Sequence, residues 1–251
     1  MSADLRWPDG VAKRVLGEVD STNAEAARIA ASLTGPTWIL GLRQTAARGR
    51  RGRAWANPEG NFAATLVMRP FETTDQVALR SFVAALALMD ALILATGRPE
   101  SVSLKWPNDV LLNGGKVAGI LLESMGTQGN LTLAIGIGVN LIAAPPADSV
   151  EPGALPPVSL AGETGIEIGP EDFLDLLAPA YARREASFTT YGFAPIRTAW
   201  LDAAAHLGAP IRARTMTEEV HGTFDGLAED GALILTTASG RRTLPAADVF
   251  F

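Results

Sequence analysis

The sequence predicts two units of different class: a mixed helix-and-strand domain over residues 1–207 and a small all-β unit over 208–251. Helical and strand stretches succeed one another up to residue 205. Apolar strands joined by tight turns over 101–141 are expected to pair antiparallel. Beyond Gly208 the pattern changes to short strands with a turn every eight to twelve residues or so. A chain of 251 residues is long enough for one sizeable domain with a small appendage.

In chain order, DSTNAEAARIAASL reads as a helix starting at Ser21 or Thr22, since Thr22 and Glu25 have capping-box spacing and alanine-rich sequence follows. TWILGL at 37–42 and NFAATLVMRP at 61–70 read as strands, and the stretch between them, rich in glycine and arginine, lacks an apolar period and reads as a loop. A helix is expected over about 75–96. SVSLKWP, DVLLN and KVAGILLES follow as strands, the last two separated by a turn at Gly114 and Gly115, with NLTLAIGIGVNL after the turn GTQGN. IAAPPADSVEPGALPP at 142–157 is long for a plain connection and is a candidate lid. Two helices are expected within 170–205, after PEDF and after GFAP. The small unit then takes IRARTM, EEVHGTFDGLAED, GALILTTAS and GRRTLPA as strands.

Composition narrows the function classes. The chain has no cysteine, which excludes disulfides and thiolate metal sites. No secretory signal is read at MSADLRWPDG, so a cytoplasmic setting is expected. SFVAALALMDALILAT at 81–96 is short for a membrane span and contains Asp90, so it is expected to be a buried helix. A net charge of −6 and a pI near 5.0 argue against a protein that coats nucleic acid along a basic face.

Against that acidic background, QTAARGRRGRAW gathers Arg48, Arg50, Arg51 and Arg53 around Gly49 and Gly52. Glycine allows close approach of backbone N–H groups to a ligand, arginine supplies forked donors for phosphate or carboxylate, and Trp55 offers a face for a flat ring. An anion cradle is the functional reading; a solvated basic patch is the bland one. KWPNDVLLNGGK places Lys105 at a strand end before Pro107, where its ammonium could meet a developing oxyanion. An ordinary exposed lysine is its alternative, and Asn108 and Asp109 read equally as turn formers. In GIGVN at 136–140 the glycines allow close strand packing, and Asn140 becomes a polar contact if the strand ends in the cleft. His206 and His221 have no metal-ligand spacing, and no metal site is expected.

With these stretches in order, the sequence resembles the biotin protein ligases, through STN at 21–23, QTAARGRRGRAW, KWPNDV, GKVAGILLE, GIGVN and the small β unit. The resemblance implies an α/β (α+β) fold: a mixed, largely antiparallel sheet flanked by helices, with a C-terminal SH3-like barrel. It implies activation of biotin by ATP with magnesium to biotinyl-5′-AMP, and transfer to a lysine of a biotin carboxyl carrier protein. Carried over by position, Ser21, Thr22, Asn23 and Gln44 would line the biotin pocket. Arg48, Gly49 and Arg50 would close over the biotin tail and phosphate, with Arg53 and Trp55 on the nucleotide side. Lys105 would hold the biotin carboxylate and α-phosphate, and Lys116 and Asn140 lie near nucleotide and metal; Lys105 and Arg50 are the catalytic candidates. Ala47 stands where family members usually have glycine, and would be strained if that position needs positive φ. With the motifs starting at residue 21, no DNA-binding domain, DNA partner or membrane partner is expected, and the chain acts as monomer or homodimer.

Two other readings make different predictions. A lipoate or octanoate ligase or transferase shares the fold but takes a different acid. A non-catalytic nucleic-acid-binding module would use the arginine loop and small barrel, with binding that falls steeply with salt and ignores biotin.

Overall fold

A computed structural model describes residues 5–126, 131–146, 150–151 and 153–251. Seven strands, β1 (Ala12–Leu16), β2 (Thr37–Gly41), β3 (Phe62–Met68), β4 (Val102–Lys105), β5 (Asp109–Leu112), β6 (Gly115–Met125) and β7 (Thr132–Val139), form one sheet in the order β1-β2-β3-β7-β6-β5-β4. Among the described residues, β1 pairs with β2 in parallel and the other neighbours in this sheet pair antiparallel. The edge strand β1, absent from the sequence reading, is short, exposed and carries Lys13 and Arg14, which discourage further strand pairing.

Strand periodicity of two gives the sheet unlike faces. Trp38, Leu40, Phe62, Leu66, Ile135, Ile137 and Ile120 point to one side, where α3 (Arg80–Thr96), α5 (Pro170–Tyr191) and α6 (Phe193–Asp202) bury them in a single core. The opposite side is covered only in part, by α1 (Thr22–Ile29), whose Ala26 packs on Ile39, Val67 and Ala134. Two short helices, α2 (Thr74–Ala78) and α4 (Leu160–Thr164), complete the large unit.

Several expectations are refined. The helix over 75–96 is broken at Leu79 into α2 and α3, where Leu79 N–H bonds back to Gln76 O. The β5–β6 turn is built on Asn113 (φ 49°) and Gly114 (φ 81°), a pair suited to a tight hairpin, while Gly115 already belongs to β6. Beyond Gly126 the turn GTQGN lies outside the described residues, as do 147–149 and 152 of the stretch read as a lid; its described ends are held by Asn61 Nδ2 on Ala143 O and by Lys116 N–H on Pro156 O. The helical window over Thr74–Thr96 is apolar and long enough to cross a membrane by length alone, yet 67% of it is buried inside the fold. Arg184 grips Asp90 through both oxygens, at 2.8 and 2.9 Å, which explains the one acid in α3.

The C-terminal unit is a second sheet of β8 (Pro210–Arg214), β9 (Glu219–Leu227), β10 (Leu233–Thr237), β11 (Gly240–Leu244) and β12 (Asp248–Phe250), ordered β11-β10-β9-β8-β12. This small antiparallel unit fits the SH3-like expectation, with β12 the strand that sequence did not single out. It is seated against the end of β4. Trp106 Nε1 donates to Gly231 O at 3.0 Å and Trp200 of α6 meets Phe224 edge-on, while Leu104 exchanges backbone hydrogen bonds with Ala203 and Ala205 in the segment that leads from α6 to the small unit.

Arg80, with only 2% of its side chain exposed, ties α3 to α5 through Glu185 (2.7 Å) and to the preceding loop through Glu72 (2.8 Å). Replacing it by alanine strands two carboxylates, so Arg80→Ala is expected to cost about 3 kcal/mol, seen as a lower urea midpoint at unchanged m.

Candidate active site

The exposed half of the sheet has an unusual floor. Register aligns Ala63, Gly138, Gly119, Asp109 and Lys105 in one row across five strands, and Ile39, Thr65, Gly136 and Leu121 in the next. Where an ordinary sheet face carries branched side chains, the centre here has glycine at 119, 136 and 138. The space is used. A Cβ on Gly138 would come within 2.6 Å of the Trp55 indole and one on Gly119 within 3.2 Å, while a Cβ on Gly136 would clash with the Asn23 carboxamide. Absence of side chains on the floor thus admits flat groups laid directly on the backbone.

At one end of this floor, the start of α1 turns buried polar groups inward. Ser21, Thr22 and Asn23 are each at most 6% exposed. Ser21 is the N-cap residue but makes no side-chain capping bond. The capping box does not form: Glu25 is drawn to Arg28 at 2.8 Å, and Thr22 lies against Gln44 and Thr65 instead. Gln44 Oε1 accepts from Thr22 N–H at 2.8 Å, taking the place of a cap. Thr65 Oγ1 is 2.8 Å from Thr22 Oγ1 and 2.6 Å from Asn23 Oδ1, and Asn23 Nδ2 donates to Glu123 Oε2 at 2.7 Å. A local rule of helix initiation is given up so that polar side chains line the floor.

At the other end, Lys105 is 12% exposed and faces Asp109 at 3.9 Å, with the Phe251 ring 5.6 Å away. Burial pushes the Lys105 ammonium below the usual lysine range, with Lys116 adding to the effect and Asp109, Asp248 and Glu151 opposing it. Asp109 also binds Lys116 at 2.8 Å, and Lys116 lies over the Trp55 ring. Asp109 is therefore no mere turn former: it is a strand residue held between two lysines. Asn108 likewise bridges, donating to Ile120 O and accepting from Arg50 Nη1 at 3.3 Å. Burial also lowers the Arg50 guanidinium from its ordinary value, opposed by Asp248 and Asp109.

The arginine loop is closed by its own backbone. Arg48 bridges to Ala54, Gly49 N–H donates to Arg53 O at 2.8 Å, and Trp55 N–H donates to Ala47 O at 3.1 Å. Gly49 N–H is thus occupied within the loop itself. The left-handed positions are Arg51 (φ 56°) and Gly52 (φ 71°). Ala47 has no positive φ, so the strain that alanine would suffer there does not arise. The arginine heads are latched to the small unit. Arg51 and Arg53 reach Asp248 at 2.6 and 3.1 Å, while Arg214 spans Asp248 at 3.3 Å and Glu151 at 3.0 Å. Arg48 is exposed at the rim.

Asn23, Trp55 and Lys116 lie against the floor glycines, Lys105 stands in the row that leads from them, Thr22 and Gln44 bond to each other beside Asn23, Arg50 reaches Asn108, and Ser21 is buried at the start of α1. Asn140 follows β7 and is 2% exposed; it anchors the chain at 158 through Nδ2, and its Oδ1 has no partner. Sequence reasoning missed Thr65, Glu123, Asp109, Asp248 and the Trp106 indole. Alternation along β3 marks Thr65 as a polar residue on a face shared with alanine, a signal that was available; the partners of Asp248 and Trp106 lie far away in sequence and left none. Among the described residues no three His, Asp or Glu side chains converge on a possible metal position.

Residues 16–140 match the model of the biotin/lipoate A/B protein ligase family, and residues 206–251 match that of the biotin protein ligase C-terminal domain. The chain is 60% identical over 238 residues to biotin–[acetyl-CoA-carboxylase] ligase of Paracoccus denitrificans, covering 94% of this chain and 99% of that protein. It is 31% identical over 217 residues to the bifunctional ligase/repressor BirA of Bacillus subtilis (strain 168), covering 85% of this chain and 65% of that one. Among solved structures, a biotin protein ligase from Aquifex aeolicus in complex with biotin and ATP superposes with a TM-score of 0.81 at 26% identity, over 95% of this chain and 98% of that one.

The Asp248 latch makes a measurable prediction. Burial raises the Asp248 carboxyl, but Arg51, Arg214, Arg53 and Arg50 outweigh it and hold it below the usual range. The latch is therefore intact at neutral pH and is lost as acid carries pH down through that lowered value. Asp248→Asn releases Arg51 and Arg53, and trypsin should cut within 48–53 roughly fivefold faster than in the parent.

Proposed function

Because the chain belongs to the biotin/lipoate A/B protein ligase family, we propose that it is an ATP-dependent biotin protein ligase that forms biotinyl-5′-AMP and transfers biotin to a lysine of a carboxyl carrier domain. The observation that carries this at the level of chemistry is one continuous glycine-floored surface, with a neutral polar pocket at one end and Lys105, Lys116 and Arg50 at the other. A small neutral ring bearing an acid tail fits that order of groups. The lipoate or octanoate reading and the nucleic-acid-binding reading both yield to the 60% identity with a biotin ligase over nearly the whole chain.

In the first half-reaction a carboxylate oxygen attacks the α-phosphorus of ATP and the bond to pyrophosphate breaks. Two anions must approach, and negative charge grows on the α-phosphoryl oxygens. Lys105 and Arg50 are assigned to that charge. Both are already desolvated and held by Asp109 and Asn108, so little reorganisation is needed at the moment of reaction. At Lys105 a substrate anion replaces the carboxylate partner Asp109, and at Arg50 it replaces the Asn108 carboxamide. Ser21, Thr22, Asn23 and Gln44 are assigned to the ring, with Arg48 and Gly49 on the loop closing over its tail. Arg53, Trp55 and Lys116 are assigned to the nucleotide, which would share the glycine floor that Trp55 now covers.

Magnesium, when bound, neutralises charge on the leaving pyrophosphate. The residues present suit an ion that arrives with the nucleotide and keeps phosphate and water ligands: Asn140 Oδ1 is a buried hard oxygen donor without a partner, and the Asn140 N–H pairs with the carbonyl of Val117, the residue after Lys116. In the second half-reaction the carrier lysine amine attacks the acyl carbon, AMP leaves and an amide forms. Loop arginines latched over the floor exclude water from the anhydride.

Magnesium-dependent ATP–pyrophosphate exchange, run with biotin, lipoate and octanoate separately, tests this reading; exchange is expected with biotin and not with the other two. Lys105→Ala should lower biotin-driven exchange by about 10²–10³-fold with an unchanged thermal midpoint, and Arg50→Ala should act in the same direction. A Lys105→Ala protein exchanging at the parent's rate removes the role assigned to Lys105. Exchange should also decline on the alkaline side at a pH below the ordinary lysine range, as Lys105 loses its proton. In Asp109→Asn, which removes a charge favouring the protonated form, that decline should move to still lower pH.

A further inference from the structure

Beneath α1 the buried polar groups form a chain whose direction is fixed by a residue outside every recognised motif. Glu123 on β6 places Oε2 2.7 Å from Asn23 Nδ2. An ionised carboxylate only accepts, so Asn23 must turn its NH₂ toward Glu123 and its Oδ1 the other way. That oxygen, 2.6 Å from Thr65 Oγ1, can only accept as well, and it takes the single Thr65 proton. With that proton spent on Asn23, the 2.8 Å contact between the fully buried Thr65 Oγ1 and Thr22 Oγ1 calls for the Thr22 proton, for which Gln44 Oε1 at 3.2 Å also competes. From the other side, Thr22 N–H donates to Gln44 Oε1 at 2.8 Å, which orients that amide too.

The Asn23 and Gln44 amides and the Thr65 hydroxyl therefore have one orientation each, and whichever partner takes the Thr22 proton, Thr22 Oγ1 retains a lone pair to accept while Gln44 Nε2 remains as a donor. A cyclic urea offers the matching pair, a ring N–H beside a carbonyl oxygen. A dithiolane ring offers neither, and would leave both groups unpaired in a buried site.

We propose that Glu123 and Thr65 are positioning residues that set the hydrogen-bond polarity of the ring pocket and so select a substrate ring carrying an N–H donor next to a carbonyl acceptor. The inference rests on the reading that the acid's ring is seated against Thr22 and Gln44.

Steady-state ATP–pyrophosphate exchange tests it, with KM for biotin and for ATP measured separately. Thr65→Val and Glu123→Ala should each raise the biotin KM roughly tenfold, leaving kcat and the ATP KM close to the parent's, and Thr65→Ser should restore the parent value. A merely structural role would lower the active fraction, and hence kcat, without moving the biotin KM. An unchanged biotin KM in Thr65→Val and Glu123→Ala, or a Thr65→Ser protein as weak as Thr65→Val, overturns the proposal. Should Thr65→Val not fold, Glu123→Ala decides alone, since Glu123 is only partly buried. A parent protein without biotin-driven exchange defeats the functional reading itself, and this inference with it; an active parent whose variants keep its biotin KM defeats only the inference.

Discussion

Sheet register is the constraint on which the site depends. Strand pairing from β3 through β7, β6 and β5 to β4 brings Ala63, Gly138, Gly119, Asp109 and Lys105 into one row. Because side chains alternate, a slip of one residue in β7 would send Gly136 and Gly138 into the helical core and turn Ile135 and Ile137 onto the floor. The apolar side guards against that slip. Large residues such as Phe62, Leu66, Ile135 and Ile137 have nowhere else to be buried than under α3 and α5, so the energy that holds the core also fixes where the glycines lie.

The same economy of position governs charge. An acidic protein concentrates cations at one end of the floor, and most of them share a carboxylate: Asp109 serves Lys105 and Lys116, and Asp248 and Glu151 serve Arg51, Arg53 and Arg214. Paired in this way, the cations are held in place without bare like charges repelling one another, and Lys105 can be buried. An arriving anion then competes with a carboxylate rather than with bulk water, and the site is preorganised for negative charge.

The small sheet belongs to this arrangement through two contacts. The Trp106 indole, next to Lys105, donates to Gly231 at the β9–β10 connection, and Gly231 has positive φ and lies against Phe82, where a side chain would collide. Asp248 on β12 holds the arginine loop. Both reacting-group positions, the end of β4 and the loop after Gln44, are thus fixed from the same unit.

What the sequence determined by itself was the order of elements, the change of texture near Gly208, and the residue types of the loop, the KWPND turn and GIGVN. These are local signals: period, turn chemistry and clusters of one charge. It also carried the resemblance that named an acid-activating ligase. What tertiary structure decided was which groups meet. Thr22 and Glu25 have the spacing of a cap, yet Thr22 bonds to Gln44 and Thr65 because a buried hydroxyl gains more from partners across the sheet than from its own helix end. Asp109 and Asn108 read as turn formers until β6 supplied Lys116 and the Ile120 carbonyl. The glycines of β7 were ambiguous until Trp55 and Asn23 occupied the space above them, since only pairing between distant strands decides which face an alternating residue joins.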